Sequence, residues 1–212
     1  MNLFIIEKMV VKKMIIGITG GIASGKSTVS QYLKDKGYFI VDADKLAYDA
    51  LTIDQSCIEA CLKQFDCKDK NGKIDRRRLG AIIFNNKQKQ KDLENIVHPY
   101  VIKRMKEEIN LHDNELMFLD IPLLYESHLE YLCDYILVIY VDEKTQLERL
   151  KKRNQFNDEE AYARIHAQMS MEIKKEKANY VIDNRGLENE LYAQVENFLN
   201  DLRKGEVIWQ NC

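Results

Sequence analysis

The segment "GITGGIASGKST" (17–28) has the spacing of a phosphate-binding loop. Gly20, Gly25, Lys26 and Ser27 fit the pattern G-x-x-x-x-G-K-[ST]. Glycines at these positions let backbone N–H groups converge on phosphate oxygens at the start of a helix, and the lysine supplies a cation for the β- and γ-phosphates. The serine hydroxyl is a ligand for Mg²⁺. The segment therefore predicts a nucleotide site but leaves the acceptor of the phosphate undefined.

Acidic residues end two other apolar runs of the sequence. Asp42 and Asp44 lie in "VDADK", and Asp120 ends "MFLD". Ligands of open α/β sheets bind at the carboxyl ends of strands, where a carboxylate can accept the proton of an attacking hydroxyl or help to hold a metal. An alternative for Asp44 is the N-cap of a helix that begins near Lys45. In an extended segment Asp42 and Asp44 point to opposite faces, which predicts that one of them is structural.

Basic residues offer further candidates, each with a plain alternative. Arg149 and Arg153 are four residues apart on one face of a predicted helix, where they could stabilise charge on a transferring phosphoryl group or form a solvated basic face. The arginines of "IDRRRL" (74–79) could hold phosphates of a second substrate or lie on the surface. His98, before Pro99, is either a substrate contact or a residue at the start of a helix.

Five short apolar runs predict the sheet that would position these side chains. A helix over 26–36 follows the phosphate-loop segment, with Gly37 just past its end. Helical segments between the runs give βαβ order, so the predicted fold class is α/β, a five-stranded parallel sheet flanked by helices. The predicted strands are 14–19, 38–42, 115–120, 135–142 and 179–183.

Two helical segments interrupt this predicted core. Residues 45–112 carry no convincing central strand and predict a helical insertion that binds the second substrate. Residues 143–177 are highly charged and helical, with a break at "RNQFND" (153–158), and predict a lid. These segments and the core, 14–44, 113–142 and 178–212, would form a single domain, 14–212, which an N-terminal extension, 1–13, precedes.

Composition excludes several classes of protein. With 32 basic and 34 acidic residues the formal net charge is −2, which does not favour nucleic-acid binding. No apolar run approaches the roughly 18 residues of a membrane-spanning helix, and the charged N-terminal segment is not typical of an export signal. Five cysteines without a Cys-x-x-Cys pair predict reduced thiols in a cytoplasmic protein. The absence of Asn-Lys-x-Asp argues against a GTP-dependent switch.

An ordered series of segments resembles the dephospho-coenzyme A kinase family. The resemblance runs from Met14 to Gly186, and "DAD" and "PLLYE" make it specific beyond the phosphate loop. The segments are "GITGGIASGKSTVS", "VDADKLAY", "GKIDRRRLGAIIF", "LENIVHPYV", "LDIPLLYES", "QLERLKKRN", "ARIHAQM" and "YVIDNRG".

This resemblance implies a P-loop kinase fold, like that of nucleoside monophosphate kinases, with a helical coenzyme-binding region and a mobile lid. The implied reaction transfers the γ-phosphoryl group of ATP to the ribose 3'-hydroxyl of dephospho-CoA, with Mg²⁺, to give CoA and ADP. The rival acceptor is another small molecule such as a nucleoside monophosphate, and the rival class is a nucleotide-dependent switch. We expect small-molecule substrates, no nucleic-acid or membrane partner, and a monomer or weak homo-oligomer.

The resemblance also implies roles for individual residues. Asp44 would be the base or hydroxyl-orienting residue, and Lys26 and Arg153 would stabilise phosphoryl charge. Asn154 stands where the family often has Asp, which predicts a looser orientation of Arg153. Mg²⁺ would be held by Ser27 with Asp42 or Asp120, partly through water. The acceptor would be bound by Asp44, Arg76, His98, Leu123 and Arg149, and ATP by Gly21, Ile22, Ala23, Ser24, Gly25, Lys26, Ser27, Thr28, Asn184, Arg185 and Gly186.

Overall fold

The sheet is built from the apolar runs identified in the sequence. The computed structural model describes residues 13–83, 86–207 and 210. The strands form one sheet in the order β2-β3-β1-β4-β5, and the predicted α/β class with a five-stranded parallel sheet is confirmed. They are β1 (Met14–Gly20), β2 (Phe39–Asp42), β3 (Leu116–Asp120), β4 (Tyr135–Tyr140) and β5 (Tyr180–Asp183).

The register of β1, β4 and β5 brings the ends of these strands to one edge. Gly20 pairs with Ile139, and Ile139 pairs with Ile182. Because the strands are parallel, the segments that follow Gly20 and Asp183 leave the sheet at the same edge. That edge therefore carries both the phosphate-loop segment and the loop "DNRG" (183–186).

The main hydrophobic core lies between the sheet and the helices α1 (Lys26–Asp35) and α9 (Glu188–Lys204). Apolar residues recur at helical spacing on both helices and face apolar residues of the strands, so each element buries the stripe that its sequence provides. The predicted helix over 26–36 is one residue shorter than expected. The buried cluster comprises Ile16, Ile18, Val29, Leu33, Phe118, Leu137, Ile139, Ile182, Leu191, Val195, Phe198 and Leu199.

The backbone contacts divide the chain into two compact units. The insertion unit comprises residues 41–112 and 119–122, and the core unit comprises the rest. Buried residues of the insertion unit are Cys61, Phe65, Cys67 and Leu79, with an isolated antiparallel bridge between Lys68 and Ile74. Its helices are α2 (Ala43–Ala50), α3 (Gln55–Gln64), α4 (Arg76–Ile83) and α5 (Lys87–Leu111).

The bounds of α5 show that His98 is not a residue at the start of a helix, which was one of its two interpretations. Pro99 lies inside α5, so His98 is in the middle of a helix and not at its start. Proline usually begins or breaks a helix because it lacks an N–H group. Here Val97, Val101 and Met105 are buried on one face, and this packing holds the helix together across the proline.

The predicted lid segment, 143–177, contains α6 (Glu143–Asn154), α7 (Asp158–Ile165) and α8 (Met171–Lys177). The predicted break falls at 155–157, where Gln155 adopts a φ of 56° and Asn157 caps α7. Strand β4 ends two residues earlier than predicted because Asp142 is the N-cap of α6. Leu150, Ala161 and Ile165 form a small buried cluster within this segment.

Four of the five cysteines, and the last residue of the predicted N-terminal extension, lie within the described residues. Cys57, Cys61, Cys67 and Cys133 are free thiols, as predicted, whereas Cys212 lies outside the described residues. The predicted N-terminal extension lies outside them as well, except for its last residue. Within the described part of the chain, every helix is too short or too polar to cross a bilayer.

Candidate active site

The segment after β1 has the geometry of a phosphate-binding loop. Ala23 has a φ of 60° and Gly25 a φ of 88°, and α1 begins directly at Lys26. The N–H of Ser24 donates to the carbonyl of Gly21 at 3.1 Å, which closes the turn. A curled backbone ahead of a helix forms the concave N–H surface that binds anions, and the helix dipole adds to it. The predicted cradle therefore has the required backbone shape.

Two glycines of this loop are required by close approach. A Cβ atom on Gly21 would lie 2.5 Å from Gln146 Nε2 and 2.7 Å from Met171 Sδ. A Cβ atom on Gly25 would collide with the Asn184 side chain, and the positive φ of Gly25 disfavours other residues as well. The loop is thus packed against side chains from much later in the chain.

Two glutamines hold the backbone of Ile22. Its N–H donates to Gln168 Oε1 at 2.7 Å, and its carbonyl accepts from Gln146 Nε2 at 2.8 Å. Gln146 lies on α6 and is only 3% exposed, while Gln168 lies between α7 and α8. We predicted that Ile22 binds ATP. Its N–H group instead donates a hydrogen bond to a protein side chain.

Asn184 connects the loop after β5 to the phosphate loop. Its Nδ2 donates to the carbonyl of Ser24 at 2.8 Å, and its carbonyl accepts from Arg149 at 2.7 Å. Asn184 is 6% exposed, so these bonds are largely shielded from water. The structure brings Ser24, Asn184 and Arg149 together in the core unit, although we assigned Arg149 to the acceptor.

The other predicted residues of the loop "DNRG" are fixed by carboxylates. The Arg185 guanidinium donates to both oxygens of Asp183, at 2.6 to 3.0 Å, and this holds the pKa of that carboxyl below its usual range. A side chain on Gly186 would collide with the carboxylate of Glu190, whose Oε2 accepts the N–H of Leu187 at 2.9 Å. The backbone that follows β5 is therefore held in one conformation.

Lys174 is a buried cation that the sequence did not reveal. It is fully buried, and its Nζ lies 2.9 Å from Glu126 Oε1 and 3.4 Å from the carbonyl of Gly20. Burial lowers the pKa of Lys174, Glu126 opposes this shift, and the nearby Lys26 cation adds to it. In the segment "EIKKEK" the sequence gives no sign that Lys174 is the buried one.

The predicted lid arginine and Leu123 are both accessible. Arg153 is exposed, and its Nε donates to Asn154 Oδ1 at 2.8 Å. Asn154 thus provides an acceptor for the guanidinium, although we predicted that it would orient Arg153 less firmly than Asp. Leu123 is 38% exposed in the turn after β3, where its carbonyl accepts from Ser127.

The two aspartates after β2 have different roles in the insertion unit. Asp42 is the N-cap of α2, because its Oδ1 accepts the N–H of Lys45 at 3.0 Å. The cap role that we considered for Asp44 is therefore wrong, and so is the extended geometry, because Asp44 lies in the first turn of α2. Asp44 is exposed, whereas Asp120, at the end of β3, is 4% exposed.

Arg76 and His98 also lie in the insertion unit. The Arg76 guanidinium lies 4.6 Å from the ring centroid of Tyr48, a half-exposed residue of α2. Arg78 instead donates to Asp66 at 2.6 Å. Of the three neighbouring arginines, Arg76 is thus stacked on an aromatic ring, which orients its guanidinium. His98 is half-buried on α5.

Comparison with known proteins identifies the relatives of this chain. The family model described as "Dephospho-CoA kinase" matches residues 14–190. The chain belongs to the dephospho-CoA kinase family. A dephospho-CoA kinase of Oceanobacillus iheyensis is 44% identical to this member of the family over 191 residues, which cover 88% of this chain and 96% of the relative.

Solved structures support the same family assignment. The chain is similar to TT1252 from Thermus thermophilus, with a TM-score of 0.78 and 34% identity over 90% of this chain and 98% of that one. It is also similar to a dephospho-CoA kinase from Campylobacter jejuni, with a TM-score of 0.66 and 30% identity over 91% and 98% of the two chains. The P-loop kinase fold expected for this family member is confirmed.

Proposed function

We propose that this chain transfers the γ-phosphoryl group of ATP to the ribose 3'-hydroxyl of dephospho-CoA, giving CoA and ADP in the final step of coenzyme A synthesis. The observation that carries this proposal is a formed phosphate loop within a chain that matches the family over residues 14–190. The loop is the evidence for ATP as the phosphoryl donor, and the family match is the evidence for dephospho-CoA as the acceptor.

On the donor side, catalysis would rest on positioning and electrostatics. Backbone N–H groups of the loop other than those of Ile22 and Ser24, with N–H groups at the start of α1, would bind phosphate oxygens, and the Lys26 ammonium would offset the charge that develops on the transferring group. Asn184, Arg185 and Gly186 would pass along the adenine ring. These roles are supported by the side chains that hold both loops in fixed conformations.

On the acceptor side, Asp44 would accept or orient the proton of the ribose hydroxyl. Its exposed carboxylate is consistent with this role, since the cap of α2 is provided by Asp42. Arg153 would stabilise phosphoryl charge from the lid segment. The remaining acceptor contacts would come from Arg76, His98, Leu123 and Arg149, among which Arg76 is already oriented by Tyr48.

Mg²⁺ would supply charge neutralisation at the β- and γ-phosphates. The Ser27 hydroxyl and an aspartate carboxylate fit this ion chemically, because Mg²⁺ prefers hard oxygen ligands and takes few of them from protein. Within the described chain there is no cluster of three or more acidic, His or Cys side chains that would form an all-protein cage. We favour Asp120 over Asp42, since Asp42 caps α2 and Asp120 is a buried carboxylate at a strand end.

Location and assembly are also proposals. A cytoplasmic location is supported by the four described cysteines, which are free thiols. A monomer or weak homo-oligomer stays a prediction, and sedimentation at several concentrations would measure it.

The proposed reaction is tested by following ATP consumption with dephospho-CoA, with AMP, or without acceptor. We expect rapid ADP formation only with dephospho-CoA, together with CoA detected by mass spectrometry. Equal activity on AMP with none on dephospho-CoA would establish the rival acceptor class. Slow, acceptor-independent hydrolysis would instead favour a nucleotide-dependent switch.

A further inference from the structure

The backbone of Ile22 is held at both polar groups by side chains from far along the chain. Gln168 accepts its N–H at 2.7 Å, and Gln146 donates to its carbonyl at 2.8 Å. The sequence separations are 146 and 124 residues, so these bonds depend on the tertiary fold. We call these two side chains, with the Ile22 backbone, the glutamine clamp.

The orientation of each glutamine in the clamp follows from the backbone. The amide oxygen and nitrogen of glutamine have nearly the same shape, so their assignment depends on hydrogen-bond partners. A backbone N–H can only donate and a carbonyl can only accept. Gln168 must therefore present its oxygen to Ile22, and Gln146 must present its nitrogen.

The clamp determines the direction of the next N–H group in the loop. The carbonyl of Ile22 and the N–H of Ala23 belong to one trans peptide, so they point in opposite directions. By holding the carbonyl, Gln146 aims the Ala23 N–H away from itself. Ala23 already has a positive φ of 60°, an uncommon conformation that needs support from its surroundings.

Packing around the clamp leaves little room for another arrangement. Gln146 is 3% exposed, and Gly21 is so close that a Cβ there would meet both Gln146 Nε2 and Met171 Sδ. The Ile22 side chain packs against the buried cluster of Leu150, Ala161 and Ile165 in the lid segment. The first half of the phosphate loop is therefore tied to the lid segment through both its backbone and its side chains.

We propose that Gln146 and Gln168 are positioning residues for phosphoryl transfer, which fix the Ile22 backbone so that the N–H of Ala23 is directed at the ATP phosphates. This inference rests on the proposed function in one respect, namely that ATP binds in this loop. It assigns to the two glutamines a role in donor binding and none in acceptor binding.

The test uses the opposite hydrogen-bond roles of the two side chains. Gln168→Glu keeps an acceptor oxygen for the Ile22 N–H, whereas Gln146→Glu replaces the donor with an acceptor that faces the Ile22 carbonyl. Gln168→Met and Gln146→Met remove each bond without adding charge. The Met variants measure how much ATP binding weakens when each hydrogen bond is lost. The Glu variants show whether a side chain that can only accept hydrogen bonds restores that binding.

We expect both Met variants to raise the KM for ATP about tenfold, as for a lost bond to a shielded partner. Gln168→Glu should recover part of this loss, and Gln146→Glu should recover none. The KM for dephospho-CoA should stay within about twofold of wild type in every variant, because the loop binds the donor. Equal KM values for ATP in all four variants and wild type, in folded protein, would overturn the proposal.

Binding and exchange measurements separate this inference from the proposed function. Affinity for a non-hydrolysable ATP analogue, and hydrogen exchange of the Ile22 amide, can be measured in the full-length chain without any acceptor. Weakened analogue binding and faster Ile22 exchange in Gln168→Met would support the clamp even if dephospho-CoA is not the acceptor. Unchanged analogue affinity and unchanged exchange in that variant would overturn it even if CoA is formed. If Gln146→Glu fails to fold, the same measurements on Gln168→Met and Gln168→Glu test the proposal.

Discussion

The residues predicted for the donor and those predicted for the acceptor are held in different ways. In the core unit, side chains of Gln146, Gln168 and Asn184 bind the backbone of the phosphate loop directly. In the insertion unit, Asp44 and Arg76 are exposed on helices, and Arg76 is oriented by one aromatic neighbour. The backbone of the phosphate loop is thus shaped by side chains of the fold, whereas Asp44 and Arg76 are exposed side chains on helices.

The buried polar side chains follow the same division. Those of the core unit are Thr19, Ser24, Ser30, Gln146, Lys174 and Asn184, while the insertion unit has Asp120. Burying a polar group is unfavourable unless it is hydrogen-bonded, and Gln146, Lys174 and Asn184 donate to backbone carbonyls of residues 20–24. Substitutions of these three residues should therefore affect stability and ATP binding together, whereas substitution of Asp44 should lower turnover without affecting either.

The largest expected effect comes from Asp44→Asn, which leaves the donor side intact. We expect kcat to fall by about 10²–10⁴-fold, the usual range for losing a general base, with unchanged affinity for ATP. Asp49→Asn, at the other end of α2, is the matched control and should keep normal turnover. Steady-state kinetics with dephospho-CoA and ATP-analogue titration provide the measurements. A normal rate in Asp44→Asn would remove Asp44 from the catalytic assignment.

The next largest effect is expected for Lys174→Met, which removes a buried cation beside the phosphate loop. The Glu126 carboxylate would lose that partner, and because it is 22% exposed we expect a loss of about 3 kcal/mol in the free energy of unfolding, at the lower end for a broken buried pair. Urea denaturation measures this change. The control is Lys175→Met, whose exposed ammonium lies 4.5 Å from the Tyr140 ring centroid and should cost less than about 1 kcal/mol. Similar losses in both variants would contradict the role of burial.

A smaller effect is expected for Asn184→Ala, which leaves the carbonyl of Ser24 without its donor. We predict a loss of about 1–2 kcal/mol in stability and a higher KM for ATP. Asn179→Ala is the control, because Asn179 also bonds backbone in the core unit, accepting from Ile136 at 2.9 Å, but lies before β5. Its stability should fall while its KM for ATP stays normal. If both variants raise the KM equally, Asn184 has no special connection to the loop.

The smallest effect concerns helix caps, which the two regions share. The N–H of Thr145 lowers the pKa of Asp142 at the cap of α6, and the N–H of Cys57 lowers that of Asp54 at the cap of α3. A carboxyl whose pKa is lower in the folded chain adds stability above its unfolded pKa of about 3.9, and this is lost as pH falls through the folded value. Asp142→Asn should therefore cost less than about 1 kcal/mol at pH 7, and this cost should decrease as the pH is lowered towards about pH 2.

Urea denaturation at both pH values measures this cap effect, and Asp54→Asn should show the same pH trend in the insertion unit. A trend confined to one unit would show that the two regions also differ in their helix caps.

The strands and the phosphate loop could be predicted because their signals are local. Continuous β-branched runs favour buried parallel strands, and the glycine and lysine spacing of the loop is specific for phosphate binding. The start of α2 was misplaced because helices beginning at Ala43 or at Lys45 differ little in local preference, and only the Asp42 side chain decides. Pro99 was misleading because tertiary burial outweighed its local effect.

The clamp and the buried lysine could not be predicted from local pattern. Gln168 and Lys174 lie 146 and 154 residues from the loop groups they contact, and nearby residues of the same type are exposed. Which of several similar polar residues becomes buried depends on the packing of α6 to α8 against the sheet. The contact of Arg149 with the Asn184 carbonyl could not be predicted for the same reason, since the spacing of Arg149 identifies a helix face but not its neighbours.

The position of β1 in the middle of the sheet has a consequence for synthesis of the chain. Although β1 is the first strand to be made, it lies between β3 and β4, and the side chains that bind its loop come from 146–184. Such contacts between distant residues form slowly and late. A nascent chain that already contains the whole phosphate-loop sequence therefore lacks the side chains that shape this loop until residues up to 184 have left the ribosome, so nucleotide binding requires synthesis beyond β5.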